Sequence, residues 1–124
     1  MQYSLLLVST EPTADELSEE DMAPFKTAFD LYAKSLDSAG VLVSADVLAR
    51  SDATTTVSMR DGTLTVQDGP FAHTKEQLGG TFVIDVPDLD AAIAWAQKCP
   101  GAQYGYIEVR PSAITFRDGE WHNA

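Results

Sequence analysis

The chain has 124 residues, with 19 acids against 8 bases for a net charge of −11, and a hydrophobic content of 44%. That length fits one domain able to bury roughly two thirds of its unfolded surface, and the acidity repels phosphate backbones, which argues against nucleic acid and membrane as partners. A single cysteine, Cys99, rules out a disulfide within the chain and suits a reducing compartment, while "YSLLLV" is too short for a signal core or a membrane span. The expectation is a soluble cytoplasmic protein, one domain over residues 1–124 with a tail from about residue 112.

Residues 2–9 form a short apolar run that reads as a first strand. Residues 11–21, "EPTADELSEED", hold six acids and no base. They read as an interaction tail or, better, as an acidic lead-in favoured by the positive end of a helix dipole. With Asp21 as N-cap, Pro24 falls at the third helical position, where no N–H partner is lost. Met22, Phe25, Phe29, Tyr32 and Leu36 then recur at three and four, a stripe that either packs a core or lines a cofactor pocket. Gly40 suits the left-handed cap. Residues 41–49 read as a second strand, and "TTTVSM" with "TLTVQD" as a hairpin across "RDG". Residues 81–86 are strand again. Asp88 caps a second helix whose Leu89, Ala92, Ile93 and Ala96 share a face, and Pro100 with Gly101 ends it. Residues 104–110 are the last clear strand; "SAITFRDGEWHNA" trails into a short strand or ordered tail.

This order predicts an α+β fold, a ferredoxin-like sandwich with an inserted β-hairpin and both helices on one face of the sheet. Alternation along the strands sorts the other face. Phe82, Ile84 and Val86 oppose Val83 and Asp85; Ile107 and Val109 oppose Tyr106, Glu108 and Arg110; Val41, Val43, Ala45 and Val47 oppose Leu42, Ser44, Asp46 and Leu48. A face carrying Leu42, Leu48, Val83 and Tyr106 is not destined for water alone. It suggests a homodimer closing two sheets over a shared cavity, with Glu108 and Arg110 as cavity residues or as a satisfied ion pair.

Residues 68–80, "DGPFAHTKEQLGG", are longer than the four to six residues or so that most connections need. Gly69 permits positive φ and Pro70 sets the next turn residue, so Phe71 is thrown in a defined direction. His73, Thr74, Lys75 and Glu76 set a proton acceptor, a hydroxyl and a cation side by side, the parts of an acid–base site. The competing reading is an ordinary polar loop in which Thr74 or Asp68 caps a turn and His73 meets solvent. Gly79 and Gly80 serve a mobile lid or a β-bulge. No metal-ligand spacing, phosphate-cradling loop or dinucleotide fingerprint occurs, so neither metal nor cofactor is expected.

At this loop the chain resembles a known family. "DGPFAHTKEQLGG", "FVIDVPDLDAAIAWAQKCP" and "IEVRP", together with "YSLLLV" and "GVLVSADVL", are similar to the DGPF proteins of the YCII-related superfamily, over nearly the whole chain to Pro111. The resemblance implies a dimeric α/β barrel of ferredoxin-like protomers. Asp68, Gly69, Pro70, Phe71, Thr74, Lys75, Glu76, Gly79 and Gly80 carry over position by position, without roles attached. Relatives in the YCII branch use a histidine on the first helix and an aspartate just after the second, and one related protein is a dehydrochlorinase. Here residues 22–39 lack histidine, and Cys99 stands where the aspartate is wanted. Many members carry glutamate at the place of His73, so a role for His73 would belong to this chain alone.

Three readings follow. The first is a small-molecule enzyme with Asp68, His73 and Lys75 as acid–base groups and Phe71, Thr74, Glu76, Glu108 and Arg110 binding substrate. The second is a ligand-sensing or regulatory module associated with a sigma factor, since DGPF members resemble domains linked to alternative sigma factors. The third is a loop that only locks the dimer.

Overall fold

A computed structural model describes residues 1–16 and 18–123. Leu17, inside the acidic lead-in, and Ala124, at the end of the tail, lie outside the described residues. The chain is a mixed α+β fold. Strand β1 (Gln2–Thr10) leads to helix α1 (Glu19–Ser38), then β2 (Leu42–Val47), β3 (Thr55–Arg60), β4 (Thr63–Asp68), β5 (Glu76–Asp85), helix α2 (Leu89–Lys98), β6 (Tyr106–Pro111), β7 (Ile114–Arg117) and β8 (Glu120–Asn123). β2, β5, β1 and β6 make a four-stranded antiparallel sheet in that order, while β3–β4 and β7–β8 each form a separate two-stranded sheet.

Helix α1 starts earlier than the sequence suggests. Ser18 is the N-cap, its hydroxyl accepting from Asp21 N–H at 3.1 Å, and Glu19, Glu20 and Asp21 fill the first turn beside the helix dipole. Asp21 is therefore not the cap, and Pro24 lies six residues in, where its missing N–H leaves the Glu20 carbonyl to water on an exposed face. The other end is as expected. Gly40 takes φ +75, its N–H donates to Asp37 O at 2.9 Å and Val41 N–H to Leu36 O at 3.2 Å, the paired bonds of a Schellman cap. Asp88 caps α2, accepting from Ala91 N–H at 2.9 Å.

The core is one cluster: Tyr3 and Leu5 of β1, Phe82 and Ile84 of β5, Tyr32 and Leu36 of α1, Ala92 and Ala96 of α2, with Val86 and Cys99. Because these sheet residues share a face, both helices cover the same side. Alanines let α2 lie close. Its turned-in side is Ala92 and Ala96 with Ala91 and Trp95, so Leu89 and Ile93, expected inward, stay exposed at 50% and 43%. Tyr32 meets Phe82 edge-on at 5.1 Å and donates its hydroxyl to Trp95 O at 2.8 Å, joining the two helices through a satisfied buried phenol.

Two irregularities re-aim the sheet. Leu42 pairs with Ile84 but Ser44 pairs with Val83, so Val43 is an extra residue on β2. That bulge turns Leu42 toward the core, against the simple alternation that put it on the open face. A second register shift falls between Leu7 and Val8, leaving Gly79 without a partner on β1. The glycine pair thus serves a bulge. The tail, expected as a short strand or ordered tail, is a two-stranded hairpin. Asp118 and Gly119 both take positive φ, as do Asp61 and Gly62 in the β3–β4 turn, so both "RDG" stretches are tight hairpin turns.

Candidate functional site

The face of the four-stranded sheet away from the helices is open. Its residues fall in cross-strand rows: Arg110, Ser4, Val83 and Ser44; then Glu108, Leu6, Thr81 and Asp46; then Tyr106, Val8 and Leu78. The centre is apolar and hydroxyl-bearing, and the charges stand at the edges. Glu108 and Arg110, both exposed on β6, form no ion pair with each other among the described residues.

At the Tyr106 end of this face lies a cleft of about 520 Å³, bounded by the β2–β3 connection (Leu48, Arg50, Ser51), by Pro70 and Phe71, and by Gln77 and Leu78 of β5. Leu78 belongs to both the cleft and the open face, so the two are continuous.

The walls are fixed by hydrogen bonds. Gly69, at φ +95, donates its N–H to Thr54 O at 2.7 Å, Thr56 Oγ1 donates to Gly69 O at 2.8 Å, and Gln67 Nε2 donates to Pro70 O at 3.0 Å. This turn holds Phe71 over the cleft, 85% exposed. On the facing wall, Glu11 accepts from Ser51 N–H at 2.7 Å and from Ser51 Oγ at 3.1 Å, and its carboxylate lies 3.6 Å from Arg50. Arg50 also reaches Asp52 at 3.6 Å and donates to Pro12 O. Sequence reasoning missed this pair. The available signal was one base two residues before one acid in "ARSDA", but its partner Glu11 is 39 positions upstream and only folding joins them.

Of the eight residues proposed from the sequence, Phe71 alone lines the cleft. Asp68 ends β4 opposite Thr55 and is exposed. Thr74 ties the turn into β5: its Oγ1 donates to Glu76 O at 2.6 Å, and Gln77 Nε2 donates to its carbonyl and hydroxyl at 2.9 and 3.0 Å. Glu76 opens β5 opposite Thr10. His73 and Lys75 are exposed and, among the described residues, engage no hydrogen bond or ion pair. No three His, Cys, Asp or Glu side chains are grouped to hold a metal ion among the described residues.

The groups with displaced pKa values sit on the helix side. Burial pushes the Cys99 thiol up, and burial with the nearby Cys99 charge pushes up the Tyr32 and Tyr104 phenols. A neutral thiol 1% exposed beneath the helices acts as a small hydrophobe. No helix among the described residues is long and apolar enough to cross a membrane.

Fold and site together define a small α+β domain with an antiparallel sheet covered on one face and a cleft at the end of the other. The chain belongs to the YCII-related domain family, whose model matches residues 1–113. It is 33% identical over 122 residues to an uncharacterized protein of Rhizobium meliloti (strain 1021), R00369, covering 97% of this chain and 98% of that relative.

Proposed function

We propose that the protomer is a ferredoxin-like sandwich with an inserted hairpin, and that two copies close their open faces into a dimeric α/β barrel enclosing a small-molecule site. The reaction is acid–base chemistry by Asp68, His73 and Lys75, with Phe71, Thr74, Glu76, Glu108 and Arg110 contacting substrate. The observation that carries this is the continuity of the uncovered, partly apolar sheet face with the cleft under Phe71. Thermal-shift screening with small aromatic and polar organic compounds, then turnover assays on the hits, tests it. Asp68→Asn and Lys75→Met each lower turnover by about a hundredfold at unchanged melting temperature. Wild-type turnover in both overturns the assignment.

One observation favours a second reading, ligand sensing without turnover in a sigma-factor-linked regulator. Asp68, His73 and Lys75 share no hydrogen bond among the described residues, whereas an acid–base site needs its groups to converge. Under this reading, hits come back chemically unchanged and a purified sigma factor is retained by the immobilised protein.

A further inference from the structure

Both small hairpins are inside out. In β3–β4 the paired residues Val57 with Val66 and Met59 with Leu64 share one face, and all four are exposed, at 63%, 59%, 65% and 60%. The opposite face, with Thr56 and Ser58, is the partly buried one, and Thr56 lines the protomer's own cleft. In β7–β8 the pattern repeats. Phe116 and Trp121 pair edge-on at 5.1 Å on an outward face with Ile114, while Thr115 and His122 turn inward and are partly buried. A solvated hairpin would place these faces the other way round.

The hairpins attach at opposite ends of the β1–β5 ladder. The β3–β4 arm joins near Gln77 and Leu78, by the Thr10–Glu76 end. The β7–β8 hairpin lies against Gln2 and Asp85, which pair at the other end. We propose that a second copy of the chain covers both outward faces: across a two-fold axis that lies between the two open sheet faces and runs across the strands, the β3–β4 arm of each copy packs on the β7–β8 hairpin of the other.

Area and charge support this occupant. At roughly 100 to 150 Å² apiece, the seven exposed side chains offer about 800 Å², what a standard interface takes from each partner. Two chains of net charge −11 repel, so a stable contact between copies needs surfaces poor in acids, and these apolar rows, with Asp68 at the root of the arm, supply them. The inference rests on the dimer proposed above and adds to it a consequence. Asp68, opposite Thr55 at the root of the arm, lies on the same outward face as Val66, so the arm presents Asp68 to the other copy.

Sedimentation equilibrium on the full chain tests this, with three variants: Met59→Lys/Leu64→Lys on the arm, Phe116→Ser/Trp121→Ser on the tail hairpin, and Leu6→Lys on the open sheet face. The wild type sediments as a dimer, and each hairpin variant raises its dissociation constant on the order of a hundredfold or more with unchanged circular dichroism. Hairpin variants within threefold of a dimeric wild type overturn the inference and leave the closed sheet faces standing. If Leu6→Lys alone leaves the dimer intact, the closed faces fail and the clasp stands. A monomeric wild type defeats both.

Should the hairpin variants misfold, Trp121 reports directly in a Trp95→Phe background, because the chain has two tryptophans. Its emission is blue-shifted in the dimer and moves red on dilution. Solvent-like emission at concentrations where the dimer persists contradicts the clasp.

Discussion

Gly80 offers the sharpest test of how the sheet holds the cleft. It is buried on β5 opposite Val47, and a Cβ built there would stand 2.8 Å from the Asp46 carbonyl oxygen of β2. A comfortable C···O approach is about 3.3 Å, so Gly80→Ala is short by about half an ångström against backbone, which cannot rotate away as a side chain would. β2 must move outward. The bond most exposed to that shift is Leu48 N–H to Gly79 O, 3.0 Å long, which anchors the start of the cleft wall. Overpacking of this kind costs about 1–3 kcal/mol. For a domain of this size that lowers the melting temperature by about 4–12 °C. Calorimetry and urea titration measure it, and hydrogen exchange should show faster opening at Val47 and Leu48 than in the β1–β6 ladder. A melting temperature equal to or above wild type, with slow exchange kept at those amides, refutes the close approach.

Two further outcomes are expected. Stability falls as pH rises above about 9 to 10, since the thiol and phenols displaced upward by burial stay protonated in the fold while the unfolded chain releases its protons. The contribution is complete below that range. Tyr32→Phe costs about 1 kcal/mol at neutral pH through the lost bond to Trp95 and flattens the alkaline limb; urea titrations between pH 8 and 11 with parallel slopes for both proteins would count against it. Glu11→Ala removes the acceptor of both Ser51 bonds and the Arg50 partner, at about 1–2 kcal/mol because the side chains are only partly exposed. Limited proteolysis then cuts within residues 48–54 several times faster. Unchanged cleavage there means the network does not hold the cleft wall.

The strands and helices were legible because their signals are local. Alternating apolar residues, the Asp88 cap and Gly40 after the first helix each act over one turn or one pleat. The start of α1 was misplaced because Pro24 drew it inward, while Ser18 and three acids outweigh one missing bond on a solvated face. The tail hairpin carried the same "RDG" signal as the β3–β4 turn and could have been read. The bulge at Val43 could not. Register is decided between strands, so only the partner Ile84 shows which way Leu42 points.

For the site, the sequence alone determined that residues 68–80 carry a turn presenting Phe71, since Gly69 can take positive φ and Pro70 fixes its own φ. Tertiary structure decided what that turn overhangs. Glu11 meets Ser51 and Arg50 only when β1 and the β2–β3 connection are brought together, and the inward and outward faces of the hairpins exist only relative to the sheet they flank. A side chain's torsional limits are written in its own neighbours. Its company is set by residues far along the chain, and alternation cannot say which of two faces water will touch.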